Sequence, residues 1–143
     1  MSSVLLAGAL NSCSGYFEDP YYSDWYKIDD SKIPSYVDNS TNIYCWVFNN
    51  IKYQIHGTRC FLPQETLNNG YGDCDDDAVL QLAIYFKRCG KKGSLLVGTN
   101  SEGIGHAEAD FCGETFYRTY LFNPTKEYSF DDIKFFHEFY APN

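Results

Sequence analysis

Apolar residues recur at helical spacing in two segments of this 143-residue chain. The first segment follows Asn39, Ser40 and Thr41, which can cap a helix. Its apolar positions are Ile43, Trp46, Val47 and Ile51. The second segment starts at Cys74 and runs to about Arg88, and its apolar residues cover most of the helix circumference. The pattern predicts one amphipathic helix and one central, buried helix.

Proline and glycine residues indicate where further helices begin and end. Pro63 suits the first position of a short helix that ends before Gly70. Gly90 fits the residue that follows the end of the central helix. A pattern like a capping box at residues 129–132 predicts a last helix that runs to about Tyr140.

Alternation of apolar and polar residues predicts strands between these helices. Residues 94–98 form an apolar strand, and residues 106–112 alternate strictly. Their apolar side consists of Ala107, Ala109 and Phe111, and their polar side of His106, Glu108 and Asp110. Gly113-Glu114 predicts a turn into a further strand over residues 115–122. Helices followed by a meander of strands indicate an α+β domain.

The first 38 residues read differently from the rest of the chain. Residues 14–38 are rich in Tyr, Asp, Ser and Pro and show no periodicity. We interpret residues 1–37 as an aromatic arm that wraps the core, with binding of a protein partner as the alternative, and residues 38–143 as the domain. Residues 1–13 loosely resemble a lipoprotein signal that ends at Cys13, but no basic residue precedes the apolar run. We favour a packed element over export, and no segment is long enough to span a membrane.

Composition and charge narrow the classes of function. The chain is 44% apolar and 18% aromatic, which indicates a folded domain. The net charge of −8 argues against nucleic acid and anionic membranes as partners, because both bind basic surfaces. The six cysteines show no zinc-type spacing, and if one of them is a nucleophile the other five cannot all pair.

Cys74 stands where a glycine-containing turn, residues 70–73, leads into the central helix. Unpaired N–H groups and a partial positive charge at that end favour the thiolate, which is the nucleophilic form. Downstream, His106 follows a glycine and can serve as the base, and Asn123 can orient it. Cys74, His106 and Asn123 are therefore candidates for nucleophile, base and orienting group. Asp110 is a less favoured orienting group.

The segment around Cys74 (PQETLNNGYGDCDD, residues 63–76) resembles the segment around the active cysteine in the transglutaminase-like superfamily. Residues 41–53 are similar to the helix that this family places before it, and residues 106–108 resemble its histidine strand. Asn123-Pro124-Thr125 falls where most members carry Asp-Pro-Thr. The resemblance covers about two thirds of the chain. It implies a papain-like arrangement, in which the cysteine helix packs on a small antiparallel sheet that carries the other two triad members.

The aspartates beside the cysteine have two interpretations. Acidic residues in the first turn of a helix stabilise it. Some bacterial transglutaminase-like cysteine proteinases bind calcium through acids that flank the nucleophile. The resemblance therefore implies a calcium candidate at Asp73, Asp75 and Asp76, which offer oxygen ligands of the right type. The relay itself requires no cofactor.

The sequence leads to three hypotheses about function. The first is a cysteine hydrolase that cleaves an amide or isopeptide bond of a peptide or protein through a thioester on Cys74. The second is a transglutaminase that passes the acyl group to an amine and so forms a cross-link. The third is a binding or structural module with this fold and reduced or no catalysis, because Asn123 lacks the charge of an aspartate. Either enzyme needs a second oxyanion donor beside the Cys74 N–H, for which Gln64 and Tyr71 are candidates.

Overall fold

The computed structural model describes residues 22–57, 59–116 and 122–140. Its elements are α1 (Ser40–Asn50), β1 (Lys52–Tyr53), α2 (Pro63–Asn69), β2 (Tyr71–Gly72), α3 (Cys74–Cys89), β3 (Ser94–Asn100), β4 (Gly105–Phe111), β5 (Glu114–Thr115) and β6 (Phe122–Tyr128). Two 3₁₀ helices follow, Phe130–Phe135 and His137–Tyr140. Mixed helix and sheet agree with the predicted α+β class. In the part of the chain that the structure describes, every helix is too short or too polar to cross a membrane.

The helices begin close to the residues that the sequence indicates. The side chain of Asn39 accepts a hydrogen bond from a backbone N–H of the first turn and so caps α1. Pro63 opens α2, and Gly70 ends it in the left-handed conformation, with φ of 77°. α1 ends at Asn50, earlier than the family-like segment 41–53 suggests. The next residues form β1, which pairs in parallel with β2.

α3 is the centre of the core. Every residue from Asp76 to Tyr85 is buried, as the apolar pattern around its circumference predicts. α3 contacts α1 and α2 as well as β3 and β4. Gly90 ends it with φ of 67°. A helix held on all sides fixes the position of the residue at its tip, which is Cys74.

Four antiparallel strands form the main sheet in the order β5-β4-β3-β6. This order corrects the expected meander, because the chain returns after β5 to the far side of β3. The strand predicted over residues 115–122 is also wrong in extent. β5 covers only Glu114–Thr115, and β6 starts at Phe122, with residues 117–121 outside the described part.

β6 approaches β3 unusually closely at Gly98. A Cβ atom there would lie 2.0 Å from the backbone oxygen of Asn123, so only glycine fits. The register between the two strands shifts between Val97 and Gly98. Pro124 is compatible with this sheet because β6 is its last described strand, and proline within sheets is found on edge strands and at bulges.

The two faces of β4 have the composition that its alternation predicts. Phe111 packs edge-on against Tyr85 of α3, with ring centroids 5.0 Å apart. Ala107 and Ala109 share that face and are buried. His106 and Glu108 therefore lie on the face directed away from α3.

The C-terminal segment forms 3₁₀ turns instead of the predicted α-helix. Its buried side chains are Phe130, Ile133, Phe136 and Phe139. Their spacing of three residues aligns them along one side of a 3₁₀ helix, which has three residues per turn, but spreads them around an α-helix. The Phe136 N–H accordingly donates to the Ile133 carbonyl at 2.8 Å.

The described part of the arm wraps the core. Trp25, Ile28, Ile33 and Val37 are all buried. The Trp25 ring lies 4.9 Å from the Phe130 ring, so the arm and the C-terminal segment contact each other. The lipoprotein-like segment at residues 1–13 lies outside the described residues, and the boundary at residue 37 stays a prediction.

Candidate functional site

Cys74 lies against the edge of β4. The backbone N–H of Ala107 donates a hydrogen bond to its sulfur. Strand N–H groups lie in the plane of their sheet, so the sulfur sits beside the strand and not over a face. β5 pairs only with Asp110 and Phe111, which leaves this stretch of β4 with β3 as its one described strand neighbour. The tip of α3 therefore occupies the open edge of β4, one residue from His106.

The pKa of Cys74 moves against the direction expected from a helix N-terminus. Burial raises the pKa of Cys74 to about 12, and the negative charge of Asp75 adds to the rise. The Ala107 N–H acts in the opposite direction, because it stabilises the thiolate. In this arrangement Cys74 is a thiol at neutral pH. It needs a base to become a nucleophile.

His106 is held by Glu108. Its Nε2 atom lies 2.5 Å from Oε2 of Glu108, and only 9% and 7% of the two side chains are exposed. The imidazole also meets the Phe122 ring edge-on, with centroids 5.3 Å apart. Within the described ranges, no hydrogen bond joins His106 to the Cys74 sulfur or to Asn123. His106 and Cys74 are neighbours through the backbone of β4, not through their side chains.

Asn123 lies away from the position predicted for it. β4 and β6 both pair with β3, so the prediction that Asn123 stands on the strand adjacent to His106 is wrong. Asn123 is exposed and pairs with Thr99, whereas His106 pairs with Gly98. Consecutive strand residues point to opposite faces, so the two side chains lie on opposite faces of the sheet.

Two further sequence candidates have other partners. The carboxylate of Asp110 accepts hydrogen bonds from the Ser94 hydroxyl at 3.3 Å and from the Gly113 N–H at 3.2 Å. The side-chain amide of Gln64 accepts from the Asp29 N–H at 2.6 Å, and its nitrogen donates within α2. Asp110 therefore holds a turn, and Gln64 holds the arm.

A narrow cleft opens beside Cys74. Its lining residues are Cys74, Asp77, Ala78, Gln81, Ala107, Glu108 and Ala109. The cleft has a volume of about 10 Å³, far below the roughly 300 Å³ at which ligand pockets usually start. A volume of this size holds about one water molecule, so a substrate would have to lie on the surface above the sulfur.

Asp76 is the centre of a polar cluster at the start of α3. It is fully buried, and its carboxylate accepts the Phe61 N–H at 2.6 Å and the Asp73 N–H at 2.9 Å. Oδ2 of Asp76 also lies 2.5 Å from Nε2 of His56. The His56 ring stacks on Phe61 with centroids 4.1 Å apart, and Phe61 in turn meets the oxyanion candidate Tyr71 edge-on. The network ties the loop before α2 to the tip of α3.

Asp73 and Asp75 bring two more carboxyl groups into this cluster. Burial raises the pKa of Asp75 to about 9 and that of Asp76 to about 6, and the Asp73 carboxyl adds to both rises. Burial also disfavours the charged form of Asp73, but hydrogen bonds with the other two carboxyls outweigh it and lower its pKa. Oδ1 of Asp73 is buried and has no hydrogen-bond donor within the described ranges. With a pKa of about 9, Asp75 holds a proton at neutral pH, while one buried oxygen of Asp73 is left without a described donor.

The cluster offers ligand atoms of the kinds that bind divalent cations. His56, Asp73 and Asp76 offer one set of three ligand atoms, and Cys60, Asp75 and Asp76 offer another, with each set within 4.8 Å. Carboxylate oxygens suit calcium, whereas imidazole and thiolate favour zinc. The three aspartates expected from the sequence do meet at one place, together with a histidine and a cysteine.

Three residues of the site were not singled out from the sequence. Glu108 could have been, because it stands on the polar side of β4 with His106. His56 and Cys60 follow no periodic pattern, and only the folding of their loop over α3 brings them to the aspartates.

Comparison with known proteins assigns no family. No family model matches the chain, and no curated protein or solved structure matches it. The resemblance to the transglutaminase-like superfamily therefore stays a prediction, which the geometry around Cys74 has to support or weaken.

Proposed function

We propose that this protein is a cysteine hydrolase of the transglutaminase-like kind, which cleaves an amide or isopeptide bond in a peptide or protein through a thioester on Cys74. The main support is the position of Cys74 at the tip of a buried helix, beside the strand edge that carries His106. Acyl transfer needs a thiol and a base within hydrogen-bond reach of each other, and this arrangement places their backbones side by side.

The relay requires the His106 ring to turn around the open edge of β4 toward the sulfur, and free enzymes often hold this contact loosely. His106 takes the thiol proton as sulfur attacks the carbonyl carbon. The imidazolium then gives that proton to the leaving nitrogen as the C–N bond breaks. Water hydrolyses the thioester, and an amine in place of water gives a cross-linked product. The Cys74 N–H supplies one oxyanion donor.

A binding or structural module with this fold is the second candidate. The raised pKa of Cys74 favours it, because a thiol with a pKa of about 12 is a packing group at neutral pH. The bond from His106 to Glu108 and the exposed position of Asn123 favour it as well. In such a module the cleft beside Cys74 would take no substrate.

Alkylation at mildly acidic pH separates the two candidates. For the hydrolase we expect iodoacetamide at pH 6 to label Cys74 at least about tenfold faster than the exposed Cys45 and Cys112, because a thiolate–imidazolium pair keeps the sulfur ionised. His106→Ala should remove the advantage, and His137→Ala, at an exposed histidine, should not. Mass spectrometry of peptides measures each rate.

A different pH profile would favour the module. A pKa of about 12 gives a labelling rate that rises about tenfold per pH unit into the alkaline range. If Cys74 shows that profile in both the wild type and His106→Ala, no relay operates.

A divalent cation at Asp73, Asp75 and Asp76 belongs to the same proposal. After treatment with a chelator, saturating calcium should raise the unfolding midpoint by roughly 5 °C, because a ligand that binds only the folded state stabilises it. Asp75→Asn should abolish the rise, and the surface variant Asp131→Asn should keep it. The same unfolding midpoints are measured with zinc in place of calcium. If zinc raises the midpoint, His56→Ala should abolish that rise. Unchanged midpoints with both ions would show that the aspartates only stabilise the helix.

A further inference from the structure

Glu108 is a buried carboxylate with one described partner. It follows His106 by two residues on β4, so both side chains lie on the same face. The 2.5 Å contact between Oε2 and Nε2 is the only hydrogen bond that the described residues give this carboxylate. A buried charge is retained only where a partner compensates its desolvation. The imidazole of His106 is that partner.

The other acceptors that could orient His106 are in the wrong place. Asn123 is exposed, on the opposite face, with β3 between its strand and β4. Asp110 shares the face of His106 but holds Ser94 and the Gly113 turn. Glu108 is therefore the one candidate in contact with the ring.

We propose that Glu108, and not Asn123, is the positioning residue of His106, an inference that rests on the proposed cysteine hydrolase. The Nε2–H group donates to Glu108, which fixes the tautomer and leaves Nδ1 unprotonated. Nδ1 is then the atom that takes the thiol proton from Cys74 and returns it to the leaving nitrogen. Glu108 stays a carboxylate throughout and stabilises the imidazolium that forms between these two steps.

This assignment accounts for the departure of the chain from the family pattern. An asparagine where most members carry aspartate removes the charge that an imidazolium needs. Glu108 supplies that charge from the strand of the histidine itself. Position 123 is then free of the constraint to be acidic.

Substitutions at the two positions test the assignment through activity. Glu108→Gln keeps the size and an acceptor but removes the charge, and we expect it to lower kcat about 100-fold or more with little change in KM. Glu108→Asp should restore part of the rate. Asn123→Ala should stay within about threefold of the wild type. Asp110→Asn is the matched control on the same strand and face.

A second readout does not depend on turnover. The ¹⁵N shifts of the His106 ring should show the Nε2-protonated tautomer in the wild type, and Glu108→Ala should lose that pattern while Asn123→Ala keeps it. Circular dichroism checks that each variant folds. If Glu108→Ala does not fold, Glu108→Asp replaces it in the ¹⁵N measurement.

The outcomes distinguish this inference from the function on which it rests. If the wild type turns over no substrate but the tautomer of the His106 ring depends on Glu108, the proposed hydrolase is wrong, and Glu108 still orients the His106 ring. If the tautomer and kcat are unchanged in Glu108→Gln, or if Asn123→Ala costs the larger loss, Glu108 is not the positioning residue.

Discussion

Cys74→Ser is expected to lower kcat by at least about 10⁴-fold while the protein keeps its fold. A serine hydroxyl beside an imidazole is a far weaker nucleophile than a thiolate, and removal of the nucleophile abolishes the covalent route. The fold should persist because the serine oxygen can accept the same Ala107 N–H that the sulfur accepts. The measurement is release of product from an amide or isopeptide substrate, together with a urea unfolding curve.

Two further measurements test whether this loss of activity is specific to the proposed chemistry. Cys45→Ser, at an exposed position of α1, should leave kcat unchanged. Mass spectrometry of the quenched wild-type reaction should show an acyl adduct on Cys74 that the serine variant lacks. Turnover by Cys74→Ser at the rate of the wild type would show that another group carries the reaction.

The helices of this fold were predictable because their signals are local. The cap at Asn39, the proline at the start of α2 and the glycines after α2 and α3 act within one turn of the residues that they terminate. The buried character of α3 follows from apolar residues around its whole circumference. These features need no knowledge of which elements meet.

The topology of the sheet was not predictable in the same way. The position of β6 beside β3 depends on a close approach at Gly98, where the shape of two distant segments must match. The local pattern of Asn123 suits the end of a hairpin equally well. The prediction that Asn123 lies beside the histidine strand failed for this reason.

In the candidate site, too, local features were predictable and features that depend on contacts between distant segments were not. The sequence correctly placed Cys74 at the tip of the central helix and His106 at the start of a strand. It gave the wrong direction for the pKa of Cys74, because it took account of the helix end but not of burial and the charge of Asp75. Burial depends on which elements cover the helix tip, and three aspartates in the sequence do not show how closely their carboxyls meet.

The largest expected effect on stability comes from Arg88, which joins the end of α3 to the arm. Its Nε donates to Oδ2 of Asp30 at 2.6 Å. Its two terminal nitrogens donate to the carbonyls of Asp30, Ile33, Pro34 and Val37 at 2.8–3.2 Å. The hydrogen bond from Arg88 lowers the pKa of Asp30 below its usual range, although burial acts in the opposite direction. One guanidinium thus satisfies four backbone acceptors and a carboxylate.

Arg88→Ala is expected to lower the free energy of unfolding by about 3 kcal/mol, because it leaves partly buried acceptors without a donor. Arg88→Lys should recover only part of the loss, since an ammonium group has three donors and cannot reproduce the planar fork. Lys87→Ala, at the exposed neighbouring position, should change the stability by less than about 0.5 kcal/mol. Urea unfolding at neutral pH measures all three.

The pH dependence of this loss gives an independent check on the ion pair. The folded-state pKa of Asp30 is depressed, so the contribution of the pair is present above the unfolded pKa of about 4 and is lost as the pH falls through the lower folded value. The difference between the wild type and Arg88→Ala should therefore shrink between about pH 4 and pH 2. The bonds to the four carbonyls do not titrate and should keep part of the difference at pH 2. If the difference vanishes completely there, the carbonyl bonds contribute nothing. If it is constant from pH 7 to pH 2, the carboxylate of Asp30 contributes nothing, and the arm is held by the backbone bonds alone.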